Sequence, residues 1–112
     1  MESVQNLKKR LKSIGNINKI TKVPMIKFLM FYTYILKSFI NGSYYVGSCK
    51  NMNVRFNLHN AGQVVSTKRY IPWELVCKEE YKTLSKARKR EMQIKSWKSK
   101  IAISKLVKDF KI

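Results

Sequence analysis

The chain has 112 residues, which suits one small domain, and 45% of them are hydrophobic, which excludes wholesale disorder. Lysine and arginine number 24 against 6 acidic residues, so the formal net charge is +18. This excess favours a polyanionic partner, first of all nucleic acid, because cationic side chains displace the counterions condensed on phosphate backbones. An anionic membrane surface is the rival polyanion, but no apolar run reaches the roughly 20 residues of a membrane-spanning helix.

The two cysteines, Cys49 and Cys77, are far apart and form no Cys-x-x-Cys pair. A zinc site needs more ligands than these two thiols supply. Both cysteines fall in apolar runs that read as strands, so we expect buried, reduced thiols in a cytoplasmic protein.

Residues 1–22 have the pattern of a basic amphipathic helix, in which Val4, Leu7, Leu11 and Ile14 recur at helical spacing among lysines. Pro24 ends this pattern. The segment suits either a solvated basic arm or an organelle-targeting sequence, which is also basic and poor in acidic residues.

Residues 30–38 are rich in aromatic and β-branched side chains on both faces, which predicts a central strand. Asn41-Gly42 predicts a two-residue hairpin turn, and residues 43–49 the return strand. With that turn, Tyr34 lies opposite Cys49.

The same hairpin places three side-chain positions on one face, because the side-chain period of a strand is two. These positions are Tyr34, Tyr45 and Gly47. Since glycine has no side chain, we expect an open floor beside the tyrosine rings, where a backbone or ligand can approach.

A short helix is predicted over residues 54–60, capped by Asn51 or Asn53 and ended by Ala61-Gly62. Arg55 and His59 are four residues apart and therefore share a helical face. Val54 and Leu58, also four apart, predict a neighbouring apolar face that packs against the core.

The rest of the chain predicts a polar basic loop over residues 63–70, a third strand over 73–81, a helix over 85–97 and a basic amphipathic segment to residue 112. In the helix, Glu91 stands where the stripe of Leu84, Ala87 and Ile94 calls for a core residue. A carboxylate there is costly unless it pairs or binds a metal. An ion pair of Glu91 with Lys95 or Arg88 is the alternative to a metal site, since helical spacing makes such pairs common.

Residues 30–100 resemble the GIY-YIG nuclease domain, in the small stand-alone form related to the nuclease module of the bacterial excision-repair endonuclease. The first motif, Tyr32-Thr33-Tyr34, keeps the family's tyrosine but lacks its leading glycine and isoleucine, and the second is Tyr45-Val46-Gly47. Further matches are Arg55, His59 and the acidic segment Ala87-Arg88-Lys89-Arg90-Glu91, and Leu75-Val76 and Lys95-Ser96-Trp97-Lys98 also fit the small stand-alone members.

The resemblance implies an α+β fold, a small three-stranded antiparallel sheet flanked by helices. It implies metal-dependent hydrolysis of DNA, in repair or recombination, with Glu91 holding Mg²⁺ or Mn²⁺. It also implies that Arg55 binds the scissile phosphate and that Tyr34 is the general base, with its pKa lowered by nearby cations. Tyr45 lines the site and orients water or phosphate, or exchanges roles with Tyr34, and His59 accepts or relays the proton or holds a tyrosine hydroxyl. The residues assigned to nucleic-acid binding are Lys50, Lys68, Arg69, Arg88 and Lys95.

Residues 1–22 resemble a different family, the start of the ATP synthase gamma subunit, through Asn6-Leu7-Lys8-Lys9-Arg10 and Lys19-Ile20-Thr21-Lys22. We therefore expect residues 1–29 to be a basic appendage, either a fused fragment or an over-extended start, and residues 30–112 to be the nuclease domain. The alternative functions are a catalytically inactive nucleic-acid-binding protein, for DNA or RNA, and a gamma-related fragment.

Overall fold

The computed structural model describes residues 30–110, which contain three strands, three helices and one 3-10 turn. The elements are β1 (Phe31–Ser38), β2 (Tyr44–Cys49), α1 (Met52–Asn60), the turn (Lys68–Tyr70), β3 (Trp73–Tyr81), α2 (Leu84–Ser96) and α3 (Lys100–Asp109). The α+β fold predicted from the sequence is confirmed. The helix predicted over residues 1–22 lies outside the described residues.

The sheet is antiparallel and has the strand order β2-β1-β3. The apolar strand β1 is therefore central, as its two apolar faces predict. Cys49 on β2 and Cys77 on β3 are both buried and free, as expected.

The predicted two-residue turn of the hairpin is wrong. Ser38 pairs with Ser43, and the loop between them has the four residues 39–42. The Ser38 hydroxyl accepts the backbone N–H groups of Ile40 and Asn41, at 3.1 and 3.4 Å. Gly42, at φ 70°, donates its N–H to the Ser38 carbonyl at 3.0 Å, so glycine supplies the left-handed residue that closes the loop.

The longer loop shifts the register of the hairpin, so that Tyr34 lies opposite Gly47 and Tyr32 opposite Cys49. Because the shift is two residues, it leaves every side chain on its predicted face. Tyr34, Tyr45 and Gly47 therefore do share one face of the sheet.

The two faces of the sheet carry separate apolar clusters. On the α1 face, buried residues pack with partly buried Phe56: Tyr34, Leu36, Cys49, Met52 and Trp73. On the other face, α2 and α3 cover a second buried set: Ile35, Val46, Cys77 and Ile94. Each large apolar side chain buried in this way stabilises the folded state by about 1.5–3 kcal/mol relative to leaving it exposed.

Helix α1 turns a different face to the sheet than the sequence predicts. Asn51 caps it by accepting the Val54 N–H at 3.1 Å, so the helix begins two residues early, at Met52. Its inward positions are Met52, Phe56 and His59, whereas Val54 and Leu58 are 53% and 39% exposed. The predicted apolar face of Val54 and Leu58 is wrong.

Helix α3 packs across the second face through Ile103, Leu106 and Val107. Ile101, at the start of this helix, does not join the packing and is 71% exposed. None of the helices between residues 30 and 110 has the length and apolar character needed to cross a bilayer.

An ion pair ties α2 to β3. Arg90 donates from Nε and Nη2 to the two carboxylate oxygens of Glu79, at 2.8 and 3.3 Å, and the Tyr81 hydroxyl donates to Glu79 at 3.0 Å. The Arg90 guanidinium also lies 5.5 Å from the centre of the Trp97 ring. This two-point contact holds α2 in a defined position on the sheet.

Candidate active site

A chain of hydrogen bonds runs through the buried α1 face of the sheet. The Tyr34 hydroxyl lies 2.7 Å from Nε2 of His59, and Nδ1 of His59 lies 2.8 Å from Oγ1 of Thr67. Thr67 Oγ1 in turn lies 3.3 Å from the Val64 carbonyl oxygen. Tyr34 is 2% exposed, and His59 and Thr67 are fully buried. Tyr34 and His59 can therefore exchange a proton in a setting shielded from bulk water.

Gly47 makes room for the first member of this chain. A Cβ at Gly47 would lie 2.5 Å from the Tyr34 hydroxyl oxygen and 2.6 Å from Cζ. The space beside Gly47 is thus filled by the Tyr34 phenol ring itself, not left open as the sequence predicted. Glycine is needed because a neighbouring ring, not a ligand, approaches its backbone.

Tyr45 packs over the same pair of rings. Its ring centre lies 5.0 Å from that of His59, 6.3 Å from that of Tyr34 and 6.4 Å from that of Trp73. Tyr45 is only partly buried. It therefore lies between the buried hydrogen-bond chain and the solvent.

Arg55 lies one helical turn before His59 but does not share its surroundings. Arg55 is exposed, whereas His59 belongs to the buried stripe of α1. The predicted common face thus places the guanidinium at the rim and the imidazole in the core. From the rim, the charge of Arg55 still lowers the pKa of both Tyr34 and His59.

The expectation that cations lower the pKa of Tyr34 overall is wrong. Burial raises the pKa of its hydroxyl far above the ordinary value of about 10. Tyr45, Cys49 and Glu91 add smaller increases, and the opposing effect of Arg55 does not offset them. Tyr34 is therefore a neutral phenol at neutral pH and needs a partner that takes its proton.

His59 is neutral at physiological pH. Burial, and then the charge of Arg55, lowers the pKa of its imidazole to about 4. A neutral imidazole has one protonated and one bare ring nitrogen. It can therefore accept a proton, which a protonated imidazolium cannot do.

Glu91 reaches the edge strand β2 from α2. Its Oε1 accepts a hydrogen bond of 2.6 Å from the Ser48 hydroxyl, and its Oε2 accepts one of 2.6 Å from Lys95 Nζ. The predicted ion pair with Lys95 is thus present. Lys95 Nζ also lies 6.0 Å from the centre of the Tyr45 ring, so it lies between the Glu91 carboxylate and Tyr45.

The donor set around Glu91 suits a hard divalent cation. Residues 30–110 contain no cluster of three His, Cys, Asp or Glu side chains able to enclose a metal. Mg²⁺ commonly binds through one or two carboxylates and completes its shell with water and phosphate oxygens. The side chain of Glu91 is 20% exposed, so a cation held by this one carboxylate fits.

The predicted nucleic-acid-binding residues lie on the surface. Lys50, Lys68, Arg69 and Arg88 are exposed, and Lys95 is half-exposed beside Glu91. Lys68 and Arg69 directly follow the buried Thr67, which places them at the end of the hydrogen-bond chain. Arg88 lies one turn before Glu91 on α2.

Two polar contacts of the site were not predicted from the sequence. Thr67 stood only as part of a polar basic loop, and Ser48 had no assigned role. No spacing rule links Thr67 to His59 or Ser48 to Glu91, because both pairs meet only through tertiary packing. In the sequence, only the polarity of Thr67 and Ser48, in or beside predicted elements, could have pointed to these contacts.

The residues of this site lie within a region that is similar to known proteins. Residues 30–105 match the GIY-YIG catalytic domain family. The chain is 43% identical over 67 residues to UPF0213 proteins of Staphylococcus aureus strains Mu3, Mu50 and N315, a match that covers 59% of this chain and 80% of each relative. No solved structure matches.

The resemblance of residues 1–22 to the ATP synthase gamma subunit is not supported, since the family match begins at residue 30. The division into residues 1–29 and 30–112 remains a prediction. A GIY-YIG domain implies a nuclease that acts on nucleic acid and generally uses a divalent metal ion. By a match over residues 30–105, this chain belongs to the GIY-YIG catalytic domain family.

Proposed function

We propose that this protein is a metal-dependent endonuclease that hydrolyses phosphodiester bonds in DNA, in repair or recombination. The observation that carries the proposal is the 2.7 Å hydrogen bond between the Tyr34 hydroxyl and His59 Nε2. It gives a neutral phenol an adjacent neutral base, which is the arrangement needed to activate a water molecule.

The proton moves in two linked transfers. The attacking water gives a proton to the Tyr34 oxygen while the Tyr34 hydroxyl proton passes to His59 Nε2. The hydroxide oxygen bonds to phosphorus, the bond from phosphorus to the leaving ester oxygen breaks, and that oxygen takes a proton from solvent. His59 then returns its extra proton to solvent through Tyr34, which completes the cycle. Tyr34 is again a neutral phenol after the step, so its high pKa does not prevent turnover.

The exposed guanidinium of Arg55 binds the scissile phosphate. This contact also favours the proton transfer, because the charge of Arg55 is one of the two causes that hold the pKa of His59 down. A bound phosphate offsets that charge. The substrate thereby makes His59 a better proton acceptor at the moment when it is needed.

Glu91 is the residue that would hold Mg²⁺ or Mn²⁺, with Ser48 orienting one of its oxygens. When bound there, the cation stabilises the negative charge that develops on the leaving oxygen. Tyr45 lines the site between Tyr34 and Lys95 and orients the phosphate or water.

Exposed cations around the site would hold the flanking DNA backbone through phosphate contacts. We assign Lys50, Lys68, Arg69, Arg88 and Lys95 to this role. The buried free thiols Cys49 and Cys77 suit the reducing cytoplasm, which we propose as the location.

The test is a plasmid-nicking assay with Mg²⁺ or Mn²⁺, compared with EDTA. Tyr34→Phe and Glu91→Gln should each reduce nicking by about 10²-fold or more, since general acid–base catalysis contributes that much. Tyr44→Phe on β2 and Glu74→Gln on β3 make the same chemical changes outside the site and should keep activity.

The same variants separate cleavage from binding. Glu91→Gln should still bind duplex DNA, because binding depends on the surface cations. DNA binding without nicking in any metal would instead indicate a binding protein without turnover. Stronger binding to RNA than to duplex DNA would overturn the choice of substrate.

A further inference from the structure

Thr67 occupies a tightly defined position at the inner end of the hydrogen-bond chain. Its backbone N–H donates to the Val64 carbonyl at 3.1 Å, and its own carbonyl accepts the Trp73 indole N–H at 2.9 Å. The side chain is fully buried, and a β-branched side chain has few available rotamers. Its hydroxyl is therefore fixed against His59.

The donor and acceptor inventory links the proton of the Thr67 hydroxyl to the tautomer of His59. The hydroxyl oxygen lies 3.3 Å from the Val64 carbonyl oxygen, which also accepts the backbone N–H groups of Thr67 and Lys68 at 3.1 Å. When the hydroxyl donates to this carbonyl, a lone pair of Oγ1 faces His59 Nδ1 at 2.8 Å, and the proton of that contact lies on Nδ1. In a neutral imidazole this leaves Nε2 bare, and the hydrogen bond that one nitrogen makes sets the state of the other.

We infer that Thr67 is a positioning residue that holds His59 in the Nδ1–H tautomer, so that Nε2 is free to take the Tyr34 hydroxyl proton. The role of this proton transfer in catalysis rests on the proposed nuclease function, whereas the tautomer of His59 does not depend on that function. With the opposite tautomer, Nε2 would donate to the Tyr34 oxygen, and His59 could not accept the proton.

Nuclear magnetic resonance of ¹⁵N-histidine-labelled protein tests the tautomer directly. His59 is the single histidine of the chain, so the spectrum contains one pair of ring nitrogens. The full-length protein should show a protonated Nδ1 and a bare Nε2 at pH 7. Thr67→Val removes the acceptor at nearly constant volume and should shift the proton toward Nε2, whereas Thr67→Ser should keep it on Nδ1.

Two results would overturn the inference. One is a wild-type protein with the proton on Nε2, and this measurement decides the question even if Thr67→Val does not fold. The other is a folded Thr67→Val variant, checked by circular dichroism, that keeps the proton on Nδ1.

Nicking kinetics give the functional consequence. A histidine in the wrong tautomer can slow a reaction by up to about 10⁴-fold, so Thr67→Val should lower kcat by about 10-fold or more. KM for DNA should stay unchanged, because Thr67 does not face the substrate. Thr67→Ser should restore kcat, and Ser66→Ala, its exposed neighbour, is the control.

The two proposals fail in different ways. If the tautomers follow the pattern above but no metal supports nicking, the nuclease function is wrong and the role of Thr67 in setting the tautomer stands. If the wild type nicks DNA and Thr67→Val retains full kcat, the positioning role in catalysis is overturned while the nuclease function stands.

Discussion

The Tyr34 hydroxyl and the His59 imidazole, 25 residues apart in sequence, meet at 2.7 Å in the buried face of the sheet. Burial raises the pKa of the phenol and lowers that of the imidazole to about 4, so both groups are neutral. The low dielectric that suppresses either charge alone also strengthens the hydrogen bond between them. In the proposed mechanism this neutral pair relays the proton that the attacking water gives up.

Replacing Gly47 by alanine should damage both stability and cleavage. The new methyl group would lie 2.5 Å from the Tyr34 hydroxyl oxygen, so the ring must move away from His59. Overpacking of this kind costs about 1–3 kcal/mol, which denaturant unfolding will measure, and nicking should fall with the loss of the hydrogen bond.

Gly62→Ala is the matched control for that change. Gly62 has φ 76°, and its nearest contact for a new methyl group is Ile71 at 3.5 Å. An alanine there should cost about 1–2 kcal/mol through backbone strain alone. Loss of nicking in both alanine variants in proportion to lost stability would contradict the specific role of Gly47.

Replacing Lys95 by glutamine should tighten metal binding in the absence of DNA. Lys95 Nζ lies 2.6 Å from Glu91 Oε2 and competes with a cation for that oxygen. The lysine side chain is 51% exposed, so the pair contributes at most about 1 kcal/mol, or a factor of about five in Kd. Calorimetric titration with Mn²⁺ measures the change, with Lys89→Gln as the control and weaker binding as the contradicting result.

The stability of the protein should depend on pH through His59. Its pKa is about 4 when folded and about 6.5 when unfolded. Between these two pH values the unfolded chain binds more protons than the folded protein. The stabilisation that neutral His59 gives the folded protein is therefore complete above pH 6.5 and is lost as the pH falls toward 4.

The expected loss from pH 7 to pH 4 is on the order of 3 kcal/mol for this fully buried group. The free energy of unfolding, measured with denaturant at each pH in that range, should change more steeply with pH for the wild type than for His59→Gln. This holds whatever the difference in their absolute stabilities. Equal slopes would show that His59 is not buried in its neutral form.

DNA affinity should fall steeply with salt, because phosphate contacts release counterions. Neutralising one residue that we propose contacts a phosphate, by Lys68→Gln or Arg88→Gln, should reduce the slope of log affinity against log salt by about 0.9. Fluorescence anisotropy with a labelled duplex measures this slope. Lys105→Gln on α3 is the control, and a salt-independent affinity would contradict binding to the DNA backbone.

The sequence alone determined the order of the elements and the faces of the hairpin. The side-chain period of two survives a register shift of two residues, so Tyr34, Tyr45 and Gly47 were placed correctly even though the loop was not. The periodicity of α2 likewise placed Glu91 at the edge of the core, because helical spacing is a local property.

The tertiary structure alone decided what surrounds each of these side chains. The packing of α1 against the sheet buried His59 while leaving Arg55 and Val54 exposed. Burial then raised the pKa of Tyr34, whereas the nearby cations had predicted a lower pKa. Thr67 met His59 only when the chain folded, because a hydrogen bond between separate segments, unlike a strand or helix period, leaves no regular spacing in the sequence.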